Sequence, residues 1–259
     1  MEFSIVADQN VHVLPTPDAM GEAAARHVAS LIAGAVEDHG RARMLFAAAP
    51  SQTPLLNALR AQDIDWPKIE ALHIDEYVGL APGDSRGFGA WLGRALFDHV
   101  PIGAVQYIDA TAVDAVAEAR RYAALTSEAP IDIACIGIGV NGHIAFNEPY
   151  QWQIEGGDLV GVVDLHETSR QQQVDDECFA TLDEVPTQAL SLTVPALLAA
   201  RHIVVTVPGR HKAAAVRAAL EPGVRPECPA TALQSHADVG YFVDRAAYSG
   251  TDAISEETS

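Results

Sequence analysis

The sequence predicts an α/β fold: a doubly wound, mostly parallel sheet with helices on both faces. Three observations lead there. The chain has 259 residues, 49% of them hydrophobic, enough to bury one large core. Short apolar runs of strand length alternate with segments whose apolar residues keep a helical spacing. The runs themselves are almost wholly apolar, as in Ile131-Asp132-Ile133-Ala134-Cys135-Ile136, which suits strands covered on both faces. No Ser/Gly-rich linker or internal repeat interrupts the chain. One domain is therefore expected over residues 1–248, with a disordered polar tail at 249–259.

The elements follow in order. Thr16-Pro17-Asp18 opens a helix with a capping hydroxyl, a proline at the first helical position and an acid in the first turn. Met20, Ala24, Val28, Leu31 and Ala35 then recur at helical spacing, and Gly40 ends the segment. Strands are predicted over residues 44–48, 69–74, 105–108, 131–136, 159–163, 202–207 and 239–243, and helices over 54–61, 88–100, 114–125, 195–200 and 211–220. In such sheets ligands gather beyond the carboxyl ends of the strands, so the residues just after each strand are the candidates for function.

Composition removes several function classes. The formal net charge is -19 and the only lysines are Lys68 and Lys212, so nucleic acid is not an expected partner. No run approaches the roughly 18 apolar residues of a membrane span, and MEFSIVADQN has no basic region before an apolar one, so a cytoplasmic protein is expected. Cys135, Cys178 and Cys228 lie far apart without a C-x-x-C pair. That spacing argues against a disulfide framework and a structural zinc site.

The stretch IDIACIGIGVNGHIAFNEP carries Gly137, Gly139 and Gly142 in the G-x-G-x-x-G spacing of a dinucleotide fingerprint, and Asp164 follows where a ribose-binding acid would stand. The helix that should lie between is missing. Residues 143–158 contain Pro149 and Gly156-Gly157, and their apolar positions keep no 3.6-residue period. The polar cluster Asn141, His143, Asn147 and Glu148 is the better use for this turn. Asp75-Glu76 and Ser51-Gln52-Thr53-Pro54 end two other strands, and Arg210-His211-Lys212 places cations at a helix start, where the dipole disfavours them. A carboxylate and an imidazole at one sheet edge can act as general acid and base.

HIDEYVGL at residues 73–80 and GIGVNGHIAFNEP at residues 137–149 closely resemble signature motifs of the glucosamine-6-phosphate deaminases, also called glucosamine-6-phosphate isomerases. The text SLTVPALLAARHIVVTVPGRHKAAAVRAAL is similar to that family's C-terminal half, and the resemblance covers roughly residues 11–248. It implies a Rossmann-like fold and an aldose-ketose isomerase and deaminase acting on an aminosugar, glucosamine 6-phosphate giving fructose 6-phosphate and ammonia, with no metal or organic cofactor. His143 matches the ring-opening base, and Asp75 the carboxylate that moves a proton between C2 and C1. Glu148 matches the acid that orients His143, which is expected to lean on it the more because Asn141 stands where the family often has Asp.

For substrate binding, the resemblance implies Ser51, Gln52 and Thr53 in a loop that is commonly glycine-rich in the family, Gly142 in a turn that approaches the sugar, and Lys212 at the phosphate. The family's phosphate arginine aligns near Val174-Asp175-Asp176-Glu177, leaving Arg170 as the reserve cation. Some relatives form oligomers, so a homo-oligomer is allowed. A 6-phosphogluconolactonase-like hydrolase and a non-catalytic sugar-sensing domain of the same fold are the alternatives. Phe146-Asn147-Glu148-Pro149 favours the deaminase, and the retained Asp75, His143 and Glu148 disfavour a mere sensor.

Overall fold

A computed structural model describes residues 10–249. Strand β1 (Asn10–Leu14) leads into helix α1 (Pro17–His39), whose signals act as the sequence indicates. Thr16 Oγ1 accepts the Ala19 N–H at 3.2 Å, and Gly40 at φ 82° sends its N–H to Val36 O. Left-handed backbone of that kind favours glycine at a helix end. Met20, Ala24 and Val28 are fully buried, and Leu31 and Ala35 pack at the margin.

The chain continues through β2 (Ala42–Phe46), α2 (Thr53–Leu59), β3 (Ile69–His73), β4 (Asp75–Tyr77), α3 (Phe88–Ala95), β5 (Ala104–Gln106), α4 (Ala115–Ser127) and β6 (Ile133–Ile136). Then come β7 (Val160–Asp164), α5 (Glu167–Asp175), β8 (Gln188–Leu192), α6 (Val194–Leu198), β9 (His202–Val207), α7 (Ala213–Leu220), β10 (Val239–Asp244) and α8 (Arg245–Tyr248). Seven strands form one sheet in the order β1-β10-β9-β6-β2-β3-β5, every pair parallel. From β2 the chain steps outward to β3 and β5, then returns to β6 on the other flank of β2. The winding reverses between β2 and β6, and a crevice opens at their carboxyl ends.

Strand alternation divides the core. Met44, Phe46, Ile133 and Cys135 pack toward α1 and α2, while Leu45, Leu72, Ala134 and Ile136 pack on the opposite face. Burial pushes the Cys135 thiol up to about 12, so it stays a protonated, packed side chain. Among the described residues no helix is long and apolar enough to cross a membrane.

Several elements depart from the sequence expectation. The run at 159–163 does not join the parallel sheet: it forms β7, which pairs antiparallel with β8 in a second sheet ordered β4-β8-β7. Its later residues are only half buried or exposed, as suits an antiparallel strand with one wet face. After His73 the chain leaves the main sheet, and Asp75 pairs with Ser191 of β8. Helix α5 was not foreseen because its buried face is polar, made of Ser169, Gln172 and Gln173. The helix expected over 88–100 is α3 followed by a 3-10 turn, Phe97–His99, and that over 211–220 begins with the 3-10 turn Arg210–Lys212. Most of the expected tail, residues 250–259, lies outside the described residues.

Candidate active site

The crevice between β2 and β6 holds a pocket lined by Ser51, Gln52, Asp75, His143 and Lys212, with Gln172 and Gln173 from α5. Four chain segments, each just beyond a strand of the main sheet, thus meet a helix that follows β7. Gly142, Thr53 and Arg170 do not line it.

The glycine-rich turn serves the protein's own side chains. A Cβ on Gly137 would stand 2.7 Å from Gln52 Nε2, and one on Gly139 would stand 2.2 Å from two atoms of the His143 ring. Gly142, at φ 85°, would meet Cys228 Sγ at 2.6 Å. The missing side chain of Gly142 makes room for the Cys228 loop, whose Ala230 N–H binds Gly142 O at 2.9 Å. Contacts this short crowd a side chain at each position, most severely at Gly139. Asn147 fastens the end of the turn, donating to Ile144 O at 2.8 Å and Leu192 O at 2.9 Å around the left-handed Ala145, φ 49°.

His143 sits with its Nδ1 2.8 Å from Asn141 Oδ1 and 2.9 Å from Ser169 Oγ. The Asn141 amide is oriented by its other end, since Nδ2 donates to Glu148 Oε2 at 2.9 Å. A carboxamide oxygen only accepts, so His143 Nδ1 carries the proton and Nε2 keeps a free lone pair. Glu148 Oε2 is 3.9 Å from Nδ1. His143 therefore leans on Asn141 and Ser169 by hydrogen bonds, and on Glu148 both through the amide and by charge at 3.9 Å. Burial, reinforced by Lys212 and opposed by Glu148, pushes the imidazole down to about 4. It is a neutral base at neutral pH.

Asp75 and Glu76 divide their work. The Glu76 carboxylate accepts the Tyr77, Phe88 and Gly89 N–H groups, each at 2.9 Å, and so anchors the start of α3. The Asp75 carboxylate takes no hydrogen bond from the described residues and lines the pocket. Burial, and secondarily Glu76, holds its pKa well above the usual carboxylate range. His73 steadies this strand end: Nδ1 donates to Asp75 O at 2.8 Å while Nε2 accepts the Ile108 N–H at 2.9 Å. Burial lowers that imidazole to about 4, so it stays neutral.

The opposite wall carries one cation. Lys212 is 2% exposed and makes no ion pair among the described residues; burial lowers its pKa to about 8, with Asp176 opposing. Arg170 is turned away, its Nη2 donating to Leu182 O at 2.6 Å and Val185 O at 2.9 Å. Thr53 is an exposed residue at the start of α2. Gln52 is held by Thr206, accepting from Oγ1 at 2.7 Å and donating to the carbonyl at 3.2 Å. Sequence reasoning missed Ser169, Gln172 and Gln173, whose i, i+3, i+4 spacing was the available signal.

Residues 15–241 match the family model described as glucosamine-6-phosphate isomerases/6-phosphogluconolactonase. Glucosamine-6-phosphate deaminases of Bacillus cereus (strain B4264) and Bacillus thuringiensis (strain Al Hakam) are each 30% identical over 249 residues, which is 96% of this chain and 92% of theirs. A solved monomeric glucosamine-6-phosphate deaminase superposes with a TM-score of 0.85 at 30% identity, over 93% of this chain and 99% of that one. A 6-phosphogluconolactonase from Shewanella baltica OS155 shares the fold, with a TM-score of 0.76 at 20% identity over 93% of this chain and all of its own, 100%.

Proposed function

The chain belongs to the glucosamine-6-phosphate isomerase and 6-phosphogluconolactonase family, and from that premise we propose that it converts glucosamine 6-phosphate and water to fructose 6-phosphate and ammonia. The observation that carries this reading is the meeting of Asp75 and His143 in one pocket, with His143 Nε2 left free by the Asn141 contact.

Ring opening needs a proton taken from the anomeric hydroxyl and one returned to the ring oxygen as the C1–O5 bond breaks. Nε2 of a neutral imidazole can do both, passing through an imidazolium whose Nδ1–H stays on Asn141. Glu148 balances the transient positive charge through the same amide. Asp75 then takes the C2 proton, the C–H electrons forming a C1=C2 bond as the C1=O π pair moves to O1, which takes up a proton. Asp75 returns its proton to C1 while the nitrogen lone pair forms a C2=N iminium. Its raised pKa makes the ionised carboxylate a stronger base for a carbon-bound proton. Water then adds to the C2 iminium, a proton passes from the added oxygen to the nitrogen, and ammonia leaves as the C2=O bond of the ketose forms and the remaining oxygen-bound proton is released. Lys212 supports the 6-phosphate as a single ammonium, joined by Ser51 and by backbone N–H groups after β2. The pocket residues need no further cofactor for these steps.

The test is to incubate the protein with glucosamine 6-phosphate and measure ammonia and ketose together. Equal amounts of both are expected. Ketose without ammonia, or neither, overturns the reading.

A further inference from the structure

Three glutamine amides line the pocket, and two are committed to the protein. Gln52 exchanges hydrogen bonds with Thr206. Gln172 Oε1 accepts the Val140 N–H at 3.0 Å, and its Nε2 donates to Asp176 Oδ2 at 3.2 Å. Gln173 is different: it is 6% exposed, yet its amide has no hydrogen-bond partner among the described residues. The amide reaches the pocket's solvent, and a sugar that displaces that water has to pair it in turn.

Building on the function proposed above, we propose that Gln173 determines specificity by pairing with a secondary hydroxyl of the aminosugar, at C3 or C4. The amide offers a donor and an acceptor, and a hydroxyl answers both. A phosphate dianion only accepts, so it would leave Oε1 facing negative charge. Asp75 and His143 are taken up with C1, C2 and the ring oxygen, and Lys212 is the cation available to the charged end. The hydroxyls between those two ends are the ones left for α5. One turn back on the same helix, Ser169 holds His143, so α5 fixes the base and reads the sugar from a single face. Glutamine thus gives the pocket a neutral, two-way contact beside the acidic run Asp175-Asp176-Glu177.

The experiment compares glucosamine 6-phosphate with its 3-deoxy and 4-deoxy analogues, by kcat/KM from ammonia release and by Kd from calorimetry. It uses wild type, Gln173→Met, and Gln173→Asn, which keeps the amide but withdraws it by one methylene. Wild type is expected to lose about a hundredfold or more in kcat/KM on one analogue, because a site built to bond a hydroxyl strongly rejects its absence. Both variants should lose a similar factor on the parent sugar and no longer distinguish it from that analogue. Melting temperatures confirm that the variants fold. If folded variants discriminate the three sugars as wild type does, in kcat/KM and Kd alike, Gln173 does not read a hydroxyl. If no sugar yields ammonia, the proposed reaction fails, and the Kd ratios alone decide the role of Gln173.

Discussion

Asn141 stands between Glu148 and His143, its amide nitrogen 2.9 Å from the carboxylate and its oxygen 2.8 Å from the imidazole Nδ1. This amide passes on orientation without carrying charge, and Ser169 gives the ring a second oxygen at 2.9 Å. The ring-opening base is therefore set by hydrogen bonds from two elements, the glycine-rich turn and α5.

Asn141→Asp should remain active within about tenfold, because an acid at this position shares a proton with Glu148 and still accepts from Nδ1. The new pair titrates where an amide cannot. The pH profile of kcat/KM should accordingly show an ionisation that wild type lacks. Complete loss of ammonia release would mean that the site tolerates only the amide.

Gly139→Ala should displace the imidazole, since the added carbon would sit 2.2 Å from ring atoms. The expected result is a fall in kcat of about a hundredfold with KM nearly unchanged, the mark of a misplaced reacting group. Wild-type kcat in this variant would show that the ring does not work from this position.

Asp75→Asn should leave the fold intact and lower turnover at least about a hundredfold, because the amide cannot accept the C2 proton. Thermal unfolding and ammonia release measure the two effects. Near-normal turnover by a folded variant rules Asp75 out as the proton carrier.

Lys212→Met should raise KM for glucosamine 6-phosphate and scarcely alter weak activity on glucosamine, as for binding lost away from the reacting carbons. In wild type the ammonium is lost as pH rises through about 8, so kcat/KM on the phosphorylated sugar should decline there, and the variant should lack that limb. The unfolded chain keeps its lysine proton to a higher pH than the folded one. Wild-type stability should therefore gain from this group as pH rises above about 8. At neutral pH the variant should be at least as stable, having no ammonium to bury. An unchanged ratio between the two sugars removes Lys212 from phosphate recognition.

What could be read in advance follows from which signals are local. Helix α1 announces itself through Thr16, Pro17 and Gly40, and β6 through its unbroken apolar run. Asp75, His143 and Lys212 were legible because each directly follows a main-sheet strand, and the fold gathers such positions. Helix α5 was hidden because its buried residues, Ser169, Gln172 and Gln173, are polar, while periodicity searches for an apolar stripe. That Gly142 admits Cys228 is not legible in sequence, where such a glycine looks the same as one that admits a ligand. Likewise only the fold reveals that two carbonyls hold Arg170.

The edge strand β1 pairs, among the described strands, with β10 alone, Asn10 lying beside Gly240 and Leu14 beside Asp244. Strand β1 must therefore wait for the distant β10 before its ladder can form. Contacts of such sequence separation slow folding, and the β1 ladder can be completed only once β10 has been made. It also follows that β1 and β10, far apart in sequence, are neighbours in the sheet. A circularly permuted chain, with β10 joined to β1 through a crossover linker and opened at an exposed surface loop, should rebuild the same sheet while letting the two strands emerge in succession.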